Sequence, residues 1–274
     1  NYLFKHFIHL SLGFTFMYLM QKIPYHYFRG ISILMIPVVI VLLLYTIFQP
    51  SVTDSLTNTN RWIKIPFVGF TFQPSTLAGV ILMIYVSRYL AKIKDIDVRF
   101  SQTILPLWIP TLFILLLILP ANFSTTAIIF SMVILLCFVG GYPIKHLLAI
   151  VLSGILVLSI FILTIKAYPE IFPNRVDTWK SRIENFVNKE NTTENYQIEK
   201  AKIAIATGGV RGLGPGKSVQ KNFLPQSSSD FIFAIIIEEY GLIGGLFLLT
   251  VYALFLLRII IISNKADSVF GCLL

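Results

Sequence analysis

LPANFSTTAIIFSMVILLCFVGG, Leu119–Gly141, contains no charged residue, and its centre is dominated by Ile, Leu, Val, Phe and Met. A bilayer core takes roughly 17–25 mostly apolar residues of helix, and this run fits that requirement. Six further runs of the same kind surround it. Together they give seven candidate spans, at about 6–21, 31–48, 74–91, 103–120, 123–142, 146–165 and 240–257. Pro37, Pro106 and Pro110 fall inside spans. Membrane helices tolerate proline where neighbouring groups satisfy the freed backbone. The expected fold is an all-α polytopic membrane protein, with residues 1–274 as a single integral membrane domain.

The whole composition agrees with that reading. Of 274 residues, 56% are hydrophobic and 13% charged, and the mean hydropathy is +0.79. A soluble domain could not hide so much apolar surface. Cys137 and Cys272 make neither a disulfide framework nor a metal cluster, and the four histidines are scattered. The net charge is +9. Its cations gather at helix ends and in one loop, so anionic headgroups explain them better than nucleic acid does.

Orientation follows from Lys and Arg in the short connections. Lys22 and Arg29, then Arg88, Lys92, Lys94 and Arg99, then Lys145, then Arg258 and Lys265 alternate with connections holding only Arg61 and Lys64, or none. The basic set is placed in the cytoplasm. The connection from about 166 to 239 is then extracytoplasmic, and long loops cross regardless of their charge. Within it, YQIEKAKIAIATGG has amphipathic helical spacing stopped by Gly208-Gly209, while the Asn-rich part from Asn185 to Asn195 reads as a flexible connection.

The same loop holds GGVRGLGPGKSVQKNFLPQSSSDFIF, Gly208–Phe233. Its Gly-Lys-Ser suggests a phosphate-binding loop, but the glycine that such a loop needs falls on Arg211, and no buried strand leads in. Nucleotide binding is excluded on spacing.

The blocks RWIKIPFVGFTFQPSTLA, LPANFSTTAIIFSMVILLCFVGG, SRIENF, YQIEKAKIAIATGGVRGLGPGKS and FLPQSSSDFIFAIIIEEYGLIGG resemble, in order and topology, the SEDS family (shape, elongation, division and sporulation). This is the group of FtsW, RodA and SpoVE, and the RWI and FTFQPS wording is most like its division branch, FtsW. The resemblance implies ten membrane helices, so the sequence reads as a fragment lacking the first and the last two. It also implies a peptidoglycan glycosyltransferase of the bacterial cytoplasmic (inner) membrane. Such an enzyme polymerises lipid II, alongside a class B penicillin-binding protein and other divisome or elongasome membrane proteins, in division or elongation. Three family acids are missing: Thr76 stands in the QPSE block, Asn122 in the QPDFGT block and Gln226 in the LPEAHTDF block, which also loses its histidine.

That chemistry needs a base for the acceptor hydroxyl and cations for the donor's pyrophosphate. Asp230 aligns with the family's essential acid and precedes FIFAIII, at the boundary between water and membrane. From the residues alone, an aspartate capping the next helix is the simpler reading. Arg182, Lys200, Arg211, Lys217 and Lys221, with Gln226, are the candidate substrate contacts. Attraction of the cations to headgroups is the bland alternative. Arg211 leads the set because its flanking glycines let backbone approach a ligand. Glu238 and Glu239 are costly at the edge of a span unless they face the interior. Their expected role is structural, with a divalent cation such as Mg as the weaker reading. Two other functions compete: a lipid II flippase, against which the nearly charge-free span centres count, and a non-enzymatic division scaffold.

Overall fold

The computed structural model describes residues 2–49, 62–64, 71–94, 96, 99–167, 193–224 and 227–274. The described chain is helical apart from one small hairpin. Helices occupy each of the seven apolar runs. These are α1 Tyr2–Met20, α2 His26–Phe48 and α3 Pro74–Ile93, then α4 Phe100–Thr103, which continues through a π-helical turn at Ile104–Trp108 into α5 Ile109–Ile118. α6 Phe123–Val139, α7 Ile144–Ala167, the loop helix α8 Thr193–Gly208, α9 Ile232–Asn264 and the short α10 Val269–Leu273 follow. Four helices are long and apolar enough to cross a membrane: His26–Phe48, Pro74–Ile93, Phe100–Ile118 and Ile232–Asn264. The other three runs hold shorter apolar helices, His6–Met20, Phe123–Val139 and Ile144–Leu156.

The chain divides into two compact units, Asn1–Ser153 with Ile262–Leu274, and Gly154–Ile261. In the first, α3 is the central helix and packs on α2, α5, α6 and α10. Ala78, Leu82, Val86 and Leu90 recur every fourth residue, which puts them on one helix face, and all four are fully buried. They meet Val39 and Leu43 of α2, Ile114 and Ile118 of α5, and Val133 and Cys137 of α6 in one core. Where lipid tails compete with side chains, close packing and interhelical hydrogen bonds hold helices together better than apolar burial does. Ser87 supplies one such bond, donating to the Leu273 carbonyl of α10 at 3.0 Å. Tyr142 accepts from Trp108 Nε1 at 3.3 Å and bonds Thr103 Oγ1 at 2.7 Å.

Pro106 and Pro110, inside the fourth apolar run, are accommodated in this way. Pro110 has no N–H to give the carbonyl four residues back, at Pro106. The Tyr85 hydroxyl of α3 donates to that Pro106 oxygen instead. The π-turn at Ile104–Trp108 absorbs the misfit of the two prolines in the ladder.

Two of the missing family acids have local accounts. Asn122 is the N-cap of α6, accepting from Thr125 N–H at 3.2 Å, a task that Asn and Asp perform equally. Thr76 is exposed in the first turn of α3, which the hairpin Ile63–Lys64 and Thr71–Phe72 precedes in antiparallel register.

In the second unit the last apolar helix runs Ile232–Asn264 and departs from helical geometry at Gly241, so the expected span of about 240–257 falls within its second segment. Ile232 onward forms the helix that the sequence places after Asp230, with Glu238 and Glu239 in its first segment. α7 runs to Ala167 and α8 ends at Gly208, as its spacing predicts. Arg182, Gln226 and the Asn-rich stretch up to residue 192 lie outside the described residues.

Replacing Tyr85 by Phe removes a donor to the Pro106 carbonyl from a neighbouring helix. Losing that bond should cost about 0.5–1.5 kcal/mol. Thermal unfolding of the purified protein in detergent checks this, and an unchanged Tm would refute the role given to the hydroxyl.

Candidate functional site

The glycine-rich turn is built around an interruption in α9. Gly241 departs from helical geometry, with φ 70° and ψ −174°. An unbroken helix would close Leu242 N–H onto Glu238 O and Ile243 N–H onto Glu239 O. Here the turn takes both pairs. Leu213 N–H donates to the Glu238 carbonyl at 2.9 Å and Gly214 N–H to the Glu239 carbonyl at 2.8 Å. In return, Leu242 N–H donates to Gly209 O at 2.9 Å and Ile243 N–H to Val210 O at 3.3 Å. Residues 209–214 are thus inserted into the hydrogen-bond ladder of the helix.

That insertion explains the glycines. A Cβ on Gly241 would run into the Val210 carbonyl, and one on Gly212 into the Glu239 carbonyl; both residues also have positive φ. The close approach they permit is of backbone to backbone, not of backbone to a ligand as the sequence suggests.

A second anchor lies beside the first. Glu238 is fully buried. Its carboxylate accepts from Ser218 Oγ, from Val219 N–H at 3.1 Å and from Gln220 N–H at 3.3 Å. The latter two belong to the start of a 3₁₀ turn, Gln220–Asn222. Desolvating a carboxylate is costly unless donors replace water, and here they do. Glu239 receives Ser218 N–H at 3.4 Å. Both acids therefore serve the loop. The Glu238 oxygens accept from N–H and O–H donors; among the described residues no group of three His, Cys, Asp or Glu side chains that could hold a metal ion occurs.

The cations sit on the outside of this scaffold. Arg211, Lys217 and Lys221 are exposed. Lys221 Nζ donates to the Gly216 carbonyl at 3.0 Å. Lys200 is half-buried, with its ammonium 5.3 Å from the ring centroids of both Tyr196 and Phe223. Asp230 lies in the turn that leads into α9 and is exposed. The first turn of α9 is closed by backbone, with Ile232 N–H on Ser229 O at 3.4 Å and Ile235 N–H on Phe231 O at 3.2 Å. Among the described residues the Asp230 carboxylate takes no hydrogen bond, so the capping role that the sequence offered is not the one it plays here. Sequence reasoning missed Ser218 and Gly241. The only signals were a Ser twenty residues from a buried acid and a glycine after that acid, neither of which has a local pattern.

The family model described as a cell cycle protein, FtsW/RodA/SpoVE, matches residues 1–274. This chain belongs to that family. Among curated relatives, the probable peptidoglycan glycosyltransferase FtsW of Marinomonas mediterranea is 33% identical over 94% of this chain and 61% of its own length. The protein of the same name from Coxiella burnetii is 28% identical over 98% of this chain and 69% of its own length. The chain therefore spans somewhat under two thirds of the Marinomonas relative. Two solved structures share the fold. One, described as "Structural coordination of polymerization and crosslinking by a peptidoglycan synthase complex", has a TM-score of 0.70 at 20% identity and covers 99% of this chain and 72% of its own. The rod-shape-determining protein RodA of Thermus thermophilus has a TM-score of 0.61 at 20% identity, covering 97% of this chain and 67% of its own.

Truncating Glu238 to Ala leaves the buried Ser218 hydroxyl and two part-buried N–H donors without their acceptor, at about 1–3 kcal/mol for the buried group. Gly241→Ala strikes the ladder exchange itself. Both variants should free the turn and speed tryptic cleavage after Lys217 and Lys221 by about ten-fold or more. Cleavage at the wild-type rate in both would show that neither contact anchors the turn.

Proposed function

We propose that this chain is the membrane-embedded portion of a peptidoglycan glycosyltransferase that polymerises lipid II, with Asp230 as general base. The observation that carries the reading is an exposed carboxylate without a hydrogen-bond partner among the described residues, at the head of a bilayer-length helix to which a cationic turn is fixed. The names of the curated relatives support it from the side of homology. In the reaction an acceptor sugar hydroxyl attacks the anomeric carbon of the donor. Its proton passes to the Asp230 carboxylate, the glycosidic bond forms, and the bond to polyprenyl pyrophosphate breaks with the electron pair leaving on the pyrophosphate. Arg211, Lys217 and Lys221 meet the charge of that leaving group, and Arg182, Lys200 and Gln226 complete the substrate contacts. Glu238 and Glu239 are assigned to holding the turn rather than to a divalent cation such as Mg.

The seven apolar helices are all read as spans of the bacterial cytoplasmic membrane, with the connection of about 166–239 extracytoplasmic and the Arg88–Arg99 connection cytoplasmic. A class B penicillin-binding protein that crosslinks the product, with further divisome or elongasome membrane proteins, is the proposed company. The solved peptidoglycan synthase complex supports such a pairing.

Asp230→Asn tests the base. General-base catalysis contributes about 10²–10⁴-fold, so the variant should lose nearly all glycan-strand formation from lipid II, measured per protein in the membrane and per partner bound. Polymerisation near the wild-type rate would end the assignment. Arg211→Ala should weaken use of lipid II by about ten-fold, while Lys202→Ala on the exposed side of α8 should change it little. Equal small effects would reduce the turn's cations to general headgroup attraction. For topology, cysteines placed at residues 92 and 221 should react with a membrane-impermeant reagent only at 221 in cells with a permeabilised outer envelope. The reverse pattern would invert the orientation.

A further inference from the structure

A cavity of about 310 Å³ opens in the first unit, lined chiefly by Arg29 at the start of α2, Tyr85, Arg88, Tyr89 and Lys92 of α3, and Gln102 of α4. Three cations line it and, among the described residues, no acid does. Among the described residues, none of the three side chains has a hydrogen bond or ion pair to a carboxylate. Like charges that line one cavity repel one another, and an anion placed among them is attracted by all three. The Tyr89 hydroxyl takes no hydrogen bond among the described residues either. Arg88 is half-buried, and its planar fork suits phosphate oxygens. The walls continue into apolar surface: Ile93 and Pro106 line the cavity, and Leu105 beside Pro106 is 74% exposed.

We propose that this cavity binds the phosphate headgroup of an anionic phospholipid, with the acyl chains running along the exposed apolar surface beside Leu105. A phosphodiester accounts for the cations, and the apolar continuation accounts for a lipid rather than a soluble phosphate. By the orientation given above, the site faces the cytoplasmic leaflet. It is separate in chain and in unit from Asp230 and the glycine turn, so its failure leaves the polymerase reading untouched.

The test is native mass spectrometry of the purified full chain released from micelles carrying phosphatidylglycerol or phosphatidylcholine. The wild type should retain phosphatidylglycerol in preference to phosphatidylcholine. The triple variant R29Q/R88Q/K92Q should lose that retention by about ten-fold or more, whereas the charge-matched K22Q/K145Q/K265Q should keep it. Equal losses in the two triples would overturn the site in favour of diffuse surface attraction. Inorganic phosphate at millimolar concentration should fail to displace the lipid; displacement would overturn the lipid assignment in favour of a soluble phosphate. K92Q alone, at an exposed position that folding does not require, should give a smaller loss in the same direction, and no change there would also count against the site.

Discussion

The arrangement of the second unit depends on an exchange of backbone hydrogen bonds at Gly241. Two bonds that α9 would make within itself are replaced by four to residues 209–214. In water such an exchange gains little, since each net hydrogen bond contributes about 0.5–1.5 kcal/mol and ordering the turn costs a similar amount per residue. In a bilayer core the demand would be stricter. Non-helical backbone survives there only where protein satisfies every freed N–H and carbonyl. The turn does this for the kink, and the kink does it for the turn. Neither conformation is tenable alone, which is why the glycines come on both sides of the contact.

This mutual dependence sorts the acids. Glu238 is explained by folding: buried, it holds the 3₁₀ turn through three donors. Asn122 is explained as a cap, and the loss of a charge there leaves the capping bond intact. Thr76 is exposed and carries no such duty. Asp230 is different. No hydrogen bond among the described residues gives it a structural task, and an ionisable group that folding does not use is a candidate for chemistry.

The apolar helices were legible because length and composition decide them, and the seven runs all proved helical. The stop of α8 at Gly208 was legible from its spacing. The partners of Glu238 were not, because they lie eighteen to twenty residues away in sequence. The glycines were read correctly as permitting close approach, but sequence cannot say what approaches. Tyr85 reaching Pro106 was hidden for the same reason: the need was visible in Pro110, while the donor belonged to another helix.

The same clamp sets a scale for the proposed chemistry. The turn is fixed to residues 238–243 of α9, whereas Asp230 stands just before Ile232. At about 1.5 Å per residue, the helix separates these levels by on the order of 10 Å. Side chains lean toward the helix N-terminus, so the Glu238 carboxylate and the 3₁₀ turn it holds lie on the Asp230 side of the ladder exchange. A base at one level and cations at the other leave room for a sugar ring between the attacked carbon's acceptor and the departing pyrophosphate. Were the turn free to move, that spacing would drift, and misplacement by even about 1 Å can cost a reaction a hundred-fold. Anchoring a cationic loop in the ladder of the helix that follows the proposed base would hold two reacting partners at a fixed distance without direct contact between the residues proposed to bind them.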